Sequence, residues 1–138
     1  MLLTIEKVII LKSVEMFSGV PDDVLADVAH LLRSVDVPAG ETIIREGEIG
    51  STLYIIVDGR MRVHRNRQTI AELGERDVFG ELAVLDPEPR SASIEALEDA
   101  RLLELRGDHL EELMATDLAV VRGIIRFLCR RIRATTAR

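Results

Sequence analysis

The chain has 138 residues, 47% of them apolar and 30% charged, with 18 basic against 24 acidic side chains and a net charge of −6. At roughly 150 residues per domain, residues 1–138 are expected to form a single domain with enough apolar content for a core. The acidic balance argues against nucleic acid as a partner of this chain, and no apolar run approaches the ~20 residues that span a bilayer. Met1 to Lys12 has neither a basic leader nor a small-residue cleavage site, so a cytoplasmic protein is expected. The single cysteine, Cys129, cannot close an internal disulfide. His30, His64 and His109 are scattered without metal-ligand spacing, so no metal and no bound cofactor are expected.

Residues 4–33 read as helices. Ile5, Val8, Ile9 and Lys12 form a short amphipathic segment that Phe17-Ser18-Gly19 breaks. Pro21 opens the next helix, where Asp22 and Asp23 complement the helix dipole. Val24, Leu25, Val28, Ala29, Leu31 and Leu32 give that helix one apolar stripe.

Residues 34–106 read as short strands and turns. A turn at Pro38-Ala39-Gly40 precedes Thr42-Ile43-Ile44, and Glu46 to Ser51 is a loop. Leu53 to Val57 is a strand with little polar interruption. Asp58-Gly59 predicts a hairpin to a partner strand, where Met61 and Val63 alternate with Arg60, Arg62 and His64, the last facing solvent. Thr69 to Leu73 follows, and Ser91 to Leu97 is expected to pair with Arg101 to Leu105 around Glu98-Asp99. Such spacing predicts an antiparallel sandwich or small barrel.

Residues 107–138 return to helix. Gly107-Asp108 begins a short one, and Thr116-Asp117 caps a longer one. On the latter, Leu118, Val121, Ile125, Leu128 and Ile132 recur at spacings of 3, 4, 3 and 4, the seam of a helix that packs on another. Val120, Ile124 and Phe127 form a second stripe, and two stripes imply two partners. Mid-helix Gly123 marks a close approach or a bend. Cys129 reads as a small packing residue. Arg122, Arg126, Arg130, Arg131, Arg133 and Arg138 make this helix basic, which suits a nucleic-acid or membrane face but is read as a solvated face that completes the helix dipole or as groups near a ligand.

The chemistry concentrates in residues 77–93. Asp77 to Leu85 interrupts the strands with a short helical run that contains Gly80, and Asp86-Pro87-Glu88-Pro89 then delivers Arg90-Ser91-Ala92-Ser93. Free N–H groups at a helix start favour an anion, and glycine lets it come close. The planar fork of arginine suits phosphate oxygens, and serine hydroxyls add donors. Glu81 would repel a free phosphate but can accept from a ligand's hydroxyls, such as those of a ribose. Each element alone is common, and a glutamate and an arginine this far apart also suit a surface ion pair. Their order on a barrel pattern points to a sugar phosphate. No nucleophile–base pair is present, so an enzyme is not expected.

Phe79-Gly80-Glu81-Leu82-Ala83 followed by Pro89-Arg90-Ser91-Ala92-Ser93 resembles the phosphate-binding cassette of the cyclic nucleotide-binding domains found in catabolite activators, kinase regulatory subunits and nucleotide-gated channels. Gly40, Gly47, Gly50 and Gly59, placed around Leu53-Tyr54-Ile55-Ile56, support the resemblance. It implies a mainly β fold, an eight-stranded antiparallel β-roll of jelly-roll type with N-terminal helices, a short cassette helix within residues 79–93 and two C-terminal helices. By the same resemblance Arg90 would hold the cyclic phosphate and Glu81 the ribose 2′-hydroxyl, with the Gly80 backbone helping. Leu82, Ala83 and Ala92 would offer backbone N–H groups, and Ser91 its hydroxyl. Thr135 and Thr136 follow Arg130-Arg131 as threonine and serine do where catabolite activators reach adenine; otherwise they are a frayed end. Cyclic AMP is therefore expected as ligand, with cyclic GMP as the alternative. One departure is Arg76, which stands where the family has glycine and must adopt a left-handed backbone or shift the turn; an altered turn that keeps the site is expected.

The resulting expectation is a regulatory sensor in which ligand orders the cassette and residues such as Leu82 and Leu85 repack against the last helix. A homodimer is expected through that helix. No helix-turn-helix follows it, so the chain is expected to be a stand-alone sensor or a module with a fused or separate effector. The competing expectation is an oligomerisation domain with a silent pocket.

Overall fold

Eight strands make up two four-stranded antiparallel sheets in the computed structural model, which describes residues 2–80, 84–86 and 88–136, Thr136 by its backbone alone. In chain order the strands are β1 (Arg33–Val37), β2 (Thr42–Ile44), β3 (Thr52–Asp58), β4 (Met61–Arg65), β5 (Gln68–Leu73), β6 (Val78–Phe79), β7 (Ser93–Ala96) and β8 (Ala100–Arg106). One sheet has the order β1-β8-β3-β6 and the other β2-β7-β4-β5. The helices are α1 (Thr4–Ser13), a 3₁₀ turn (Glu15–Phe17), α2 (Asp22–Leu31), α3 (Gly107–Thr116) and α4 (Leu118–Thr136). The fold is the expected mainly β roll with flanking helices. It divides into two compact units, Leu32–Leu110 and the helices built from the chain up to Leu31 and from Glu111 onward.

In the sheet unit, both sheets contribute to one core. Val37, Tyr54, Ile56, Phe79 and Leu102 of the first sheet meet Ile44, Met61 and Ile94 of the second. Leu53 to Ile56 of β3 are buried in succession, which explains why that strand reads as an uninterrupted apolar run. The pairing corrects two expectations. Asp58-Gly59 does not close a hairpin, because β3 pairs with β6 and β8 while β4 pairs with β5 and β7. It is a corner where the chain changes sheets. For the same reason β7 and β8 do not pair with each other across Glu98-Asp99. Short strands with correct alternation reveal their faces but not their partners. The tight hairpin lies instead at Asn66-Arg67, both with positive φ, between paired Arg65 and Gln68. His64 does not face solvent freely. Its strand lies between β5 and β7, and its Nε2 is buried without a hydrogen-bond partner among the described residues.

In the helical unit, α2 buries Leu25, Val28 and Ala29, as its stripe predicts. The expected face of α1 is wrong. Ile5 and Ile9 are exposed, whereas Ile10 and Leu11 are buried, because α1 carries apolar residues around much of its circumference. Asp117 caps α4 by accepting from the Ala119 N–H at 2.9 Å. A Cβ at Gly123 would overlap the Met16 carbonyl oxygen, so the glycine permits α4 to approach the 3₁₀ turn. Arg130 pairs with Glu15 of that turn at 2.9 Å. The two stripes of α4 separate: Val120 and Ile124 are buried, while Leu118, Ile125 and Ile132 are 62%, 53% and 65% exposed. Cys129 is half-buried. No helix among the described residues is long and apolar enough to cross a membrane.

Candidate functional site

The cassette begins where β6 ends. Phe79 pairs with Tyr54 of β3, and their rings stack at 5.1 Å with an interplanar angle of 22°. The chain then turns at Gly80 with φ +85°, a conformation that side chains resist. A Cβ there would also lie 2.5 Å from the Thr52 carbonyl oxygen. The segment that returns is tied to the loop before β3. Arg90 N–H donates to the Glu48 carbonyl and Gly47 N–H donates to the Arg90 carbonyl, both at 2.8 Å, and Ile49 bridges Pro89.

These ties aim the Arg90 side chain back at Gly80. Its Nη1 donates to the Gly80 carbonyl at 3.3 Å and its Nη2 to the Thr52 carbonyl at 3.2 Å. Both contacts are longer than the usual value of about 2.9 Å and both acceptors are neutral, so a charged oxygen would compete well for either donor. Gly50 makes room for the guanidinium, since a Cβ there would lie 2.6 Å from Arg90 Nε. Burial pushes the guanidinium below its ordinary pKa, opposed by Tyr54 once that phenol ionises and by the charge of Glu48. Glu48 acts through space without forming an ion pair with it. A half-buried cation held by two carbonyls is a seat for an anion.

The structure therefore brings together Gly80 and Arg90 of the predicted site residues. Ser91 is exposed, its carbonyl accepting from Arg65 Nε at 2.7 Å, and Ala92 beside it is half-buried. Glu81, Leu82 and Ala83 lie outside the described residues. Thr135 and Thr136 belong to the last turn of α4 in the other unit, and Thr135 donates its hydroxyl to the Arg131 carbonyl at 3.0 Å. Arg76 takes the left-handed backbone, φ 72°, rather than shifting the turn. Its N–H donates to the Ile56 carbonyl at 2.8 Å and its Nη1 to the Val57 carbonyl at 3.2 Å, which offsets part of the strain.

Sequence reasoning missed Thr52, Tyr54 and Glu104. Tyr54 is pushed above its ordinary pKa, first by burial and then by the neighbouring Glu104 carboxylate. A carboxylate within Leu102-Leu103-Glu104-Leu105 was the available signal, because an acidic residue on an otherwise apolar strand needs a partner. A separate cleft of about 420 Å³ is lined by Asp36, Asp58 and Asp99 at the far end of β3 from Thr52. Its carboxylates make it a poor seat for phosphate.

The profile of the family described as cyclic nucleotide-binding domain matches residues 34–117. The chain belongs to that family. The CRP-like cAMP-activated global transcriptional regulator of Mycobacterium tuberculosis is 33% identical over 131 residues, covering 91% of this chain and 58% of that protein. The N-terminal domain of a transcriptional regulator from Streptomyces coelicolor A3(2) superposes with a TM-score of 0.80 at 28% identity, covering 93% of each chain. The Thermus thermophilus catabolite activator protein gives a TM-score of 0.80 at 30% identity, with 89% of this chain and 60% of that one covered. The chain thus spans less than two thirds of the length of these curated and full-length relatives.

Proposed function

We propose that residues 1–138 act as one cytoplasmic regulatory sensor domain that binds a cyclic mononucleotide, cyclic AMP in preference to cyclic GMP, and is not an enzyme. The observation that carries the reading is the convergence of Arg90 with the Gly80 turn. In this reading the cyclic phosphate draws the guanidinium from its two carbonyls, exchanging neutral acceptors for charged oxygens, a gain of roughly 1.5–3 kcal/mol. Glu81 accepts from the ribose, and the N–H groups of Leu82, Ala83 and Ala92 with the Ser91 hydroxyl complete the phosphate seat. The preference for cyclic AMP draws on two relatives, a cAMP-activated regulator and a cyclic AMP receptor protein. Thr135 and Thr136 are assigned to the base.

Binding biases the cassette and, through it, the last helix, by no more than the ligand's differential affinity for the two arrangements. Output passes to a fused or separate effector. The exposed seam of Leu118, Ile125 and Ile132 on α4 is assigned to a second copy, giving a two-fold dimer. Ile125→Glu is expected to convert that dimer to monomer in sedimentation velocity; a parent protein that is monomeric with and without ligand overturns the assignment.

Calorimetric titration of nucleotide-free protein with cyclic AMP, then cyclic GMP, tests the function. Micromolar or tighter binding, stronger for cyclic AMP, is expected. No heat with either from folded, empty protein would leave an interaction domain with a silent pocket.

A further inference from the structure

The chain that leaves the cassette is anchored peptide by peptide. Arg90 N–H donates to the Glu48 carbonyl and the Arg90 carbonyl accepts from Gly47 N–H, both at 2.8 Å, so the loop before β3 holds the backbone on either side of Arg90. The next carbonyl, that of Ser91, is held by a side chain instead: Arg65 Nε donates to it at 2.7 Å. Ser93 Oγ then accepts from Glu46 N–H at 2.9 Å as β7 begins. Register explains why Arg65 is there. His64 of β4 stands opposite Ser93 of β7, so the following residue of β4 lies beside the chain that enters β7. Arg65 is also paired with Gln68 across the Asn66-Arg67 turn, which holds its backbone in place. Its guanidinium forms no ion pair among the described residues.

The Ser91 carbonyl and the Ala92 N–H belong to one peptide group. That group is trans and planar, so holding the oxygen toward Arg65 turns the N–H the opposite way. A charged donor on the oxygen also polarises the peptide and makes its N–H a better donor. Ala92 is half-buried, and its N–H has no acceptor among the described residues. Backbone donors withdrawn from water are nearly always paired, so this one is available to an anion.

We infer that Arg65 is a positioning residue: by holding the Ser91 carbonyl it presents the Ala92 N–H to the ligand phosphate. The inference deepens the functional reading above and rests on Ala92 as one of the phosphate donors.

Two measurements on Arg65→Met test it, with cyclic AMP as the probe. Methionine keeps an unbranched apolar stem and removes the donor. Affinity is expected to fall about three-fold at an unchanged melting temperature, by the same factor at low and at high salt. No loss, or a loss that disappears at high salt, would assign Arg65 to the general charge of the surface and overturn the inference. The second readout is spectroscopic. Ser91-Ala92 is the chain's single Ser-Ala step, so ¹³C′-serine with ¹⁵N-alanine labelling gives one carbonyl–amide cross-peak. In ligand-free protein, Arg65→Met is expected to move the Ser91 carbonyl and the Ala92 nitrogen upfield; an unmoved cross-peak overturns the hold on the peptide. In the parent, cyclic AMP is expected to move the Ala92 amide proton downfield, and a proton unmoved at saturation would separate Ala92 from the phosphate and overturn the inference. If the parent binds no cyclic nucleotide, the functional reading falls, and the ligand-free cross-peak alone decides whether Arg65 orients this peptide.

Discussion

Two half-buried arginines of the sheet unit, Arg62 and Arg90, have opposite surroundings. Arg62 on β4 is saturated: its Nη1 pairs with the Glu95 carboxylate, its Nε donates to Thr69 Oγ1 at 2.6 Å, and its Nη2 donates to the Arg67 carbonyl at 2.9 Å. Arg90 reaches two carbonyls at 3.2 and 3.3 Å. One guanidinium has its charge matched within the fold and holds β4, β5 and β7 together. The other carries a desolvated charge with neutral acceptors, so its contacts can be exchanged for those of a ligand. Composition cannot separate such arginines; their acceptors do.

The sharpest way to break this comparison is to truncate each in turn. Arg90→Ala is expected to weaken cyclic AMP binding about thirty-fold or more, about 2 kcal/mol, while the fold persists. Arg62→Ala should leave the affinity within about two-fold and lower stability by about 1 kcal/mol, since it breaks a part-buried pair. Calorimetry with thermal melts on both variants decides the matter, and the reverse pattern would exchange the two roles. Gly50→Ala sharpens the contrast without touching the guanidinium chemically. The added Cβ meets the end of a flexible side chain, so Arg90 moves while the backbone stays. Affinity should fall about five-fold, roughly 1 kcal/mol, at an unchanged melting temperature.

A third arginine gives a smaller effect. Arg76 occupies a left-handed backbone at a cost, and its side-chain bond to the Val57 carbonyl offsets only part of it. Arg76→Gly should stabilise the fold by about 0.5 kcal/mol in denaturant titration and leave nucleotide affinity unchanged. The last effect concerns Tyr54, whose folded pKa is raised by burial and by Glu104. A raised pKa means that the native state keeps its proton longer than the unfolded chain does. That contribution to stability is therefore complete below about pH 10, the ordinary tyrosine value, and is lost as pH rises through the folded value. The parent should lose stability relative to Tyr54→Phe along that alkaline limb; a constant difference would place the Tyr54 hydroxyl outside the titrating network.

Much of this molecule was legible before any coordinates. The stripe of α2 and the cap and paired stripes of α4 depend on neighbours within a few turns of chain, and local periodicity reports those directly; a glycine in mid-helix likewise flags a close approach at Gly123, though its partner Met16 lies far along the chain. The partners of strands did not follow. Asp58-Gly59 carries the chemistry of a hairpin yet serves as a corner, because pairing is decided by which strands must cover a shared core. The exposed face of α1 escaped for a related reason: a helix apolar on several sides leaves the choice of buried side to what packs on it.

The sequence by itself set the order of Gly80 and Arg90 and the chemistry such residues bring to an anion, since residue type and order specify that chemistry. Only the tertiary structure decided that Arg90 faces neutral carbonyls while Arg62 faces a carboxylate. It alone set Arg33, Glu104, Tyr54 and Phe79 in one row across four strands. Those neighbours are far apart along the chain, and their register follows from packing two sheets around one core rather than from any local preference.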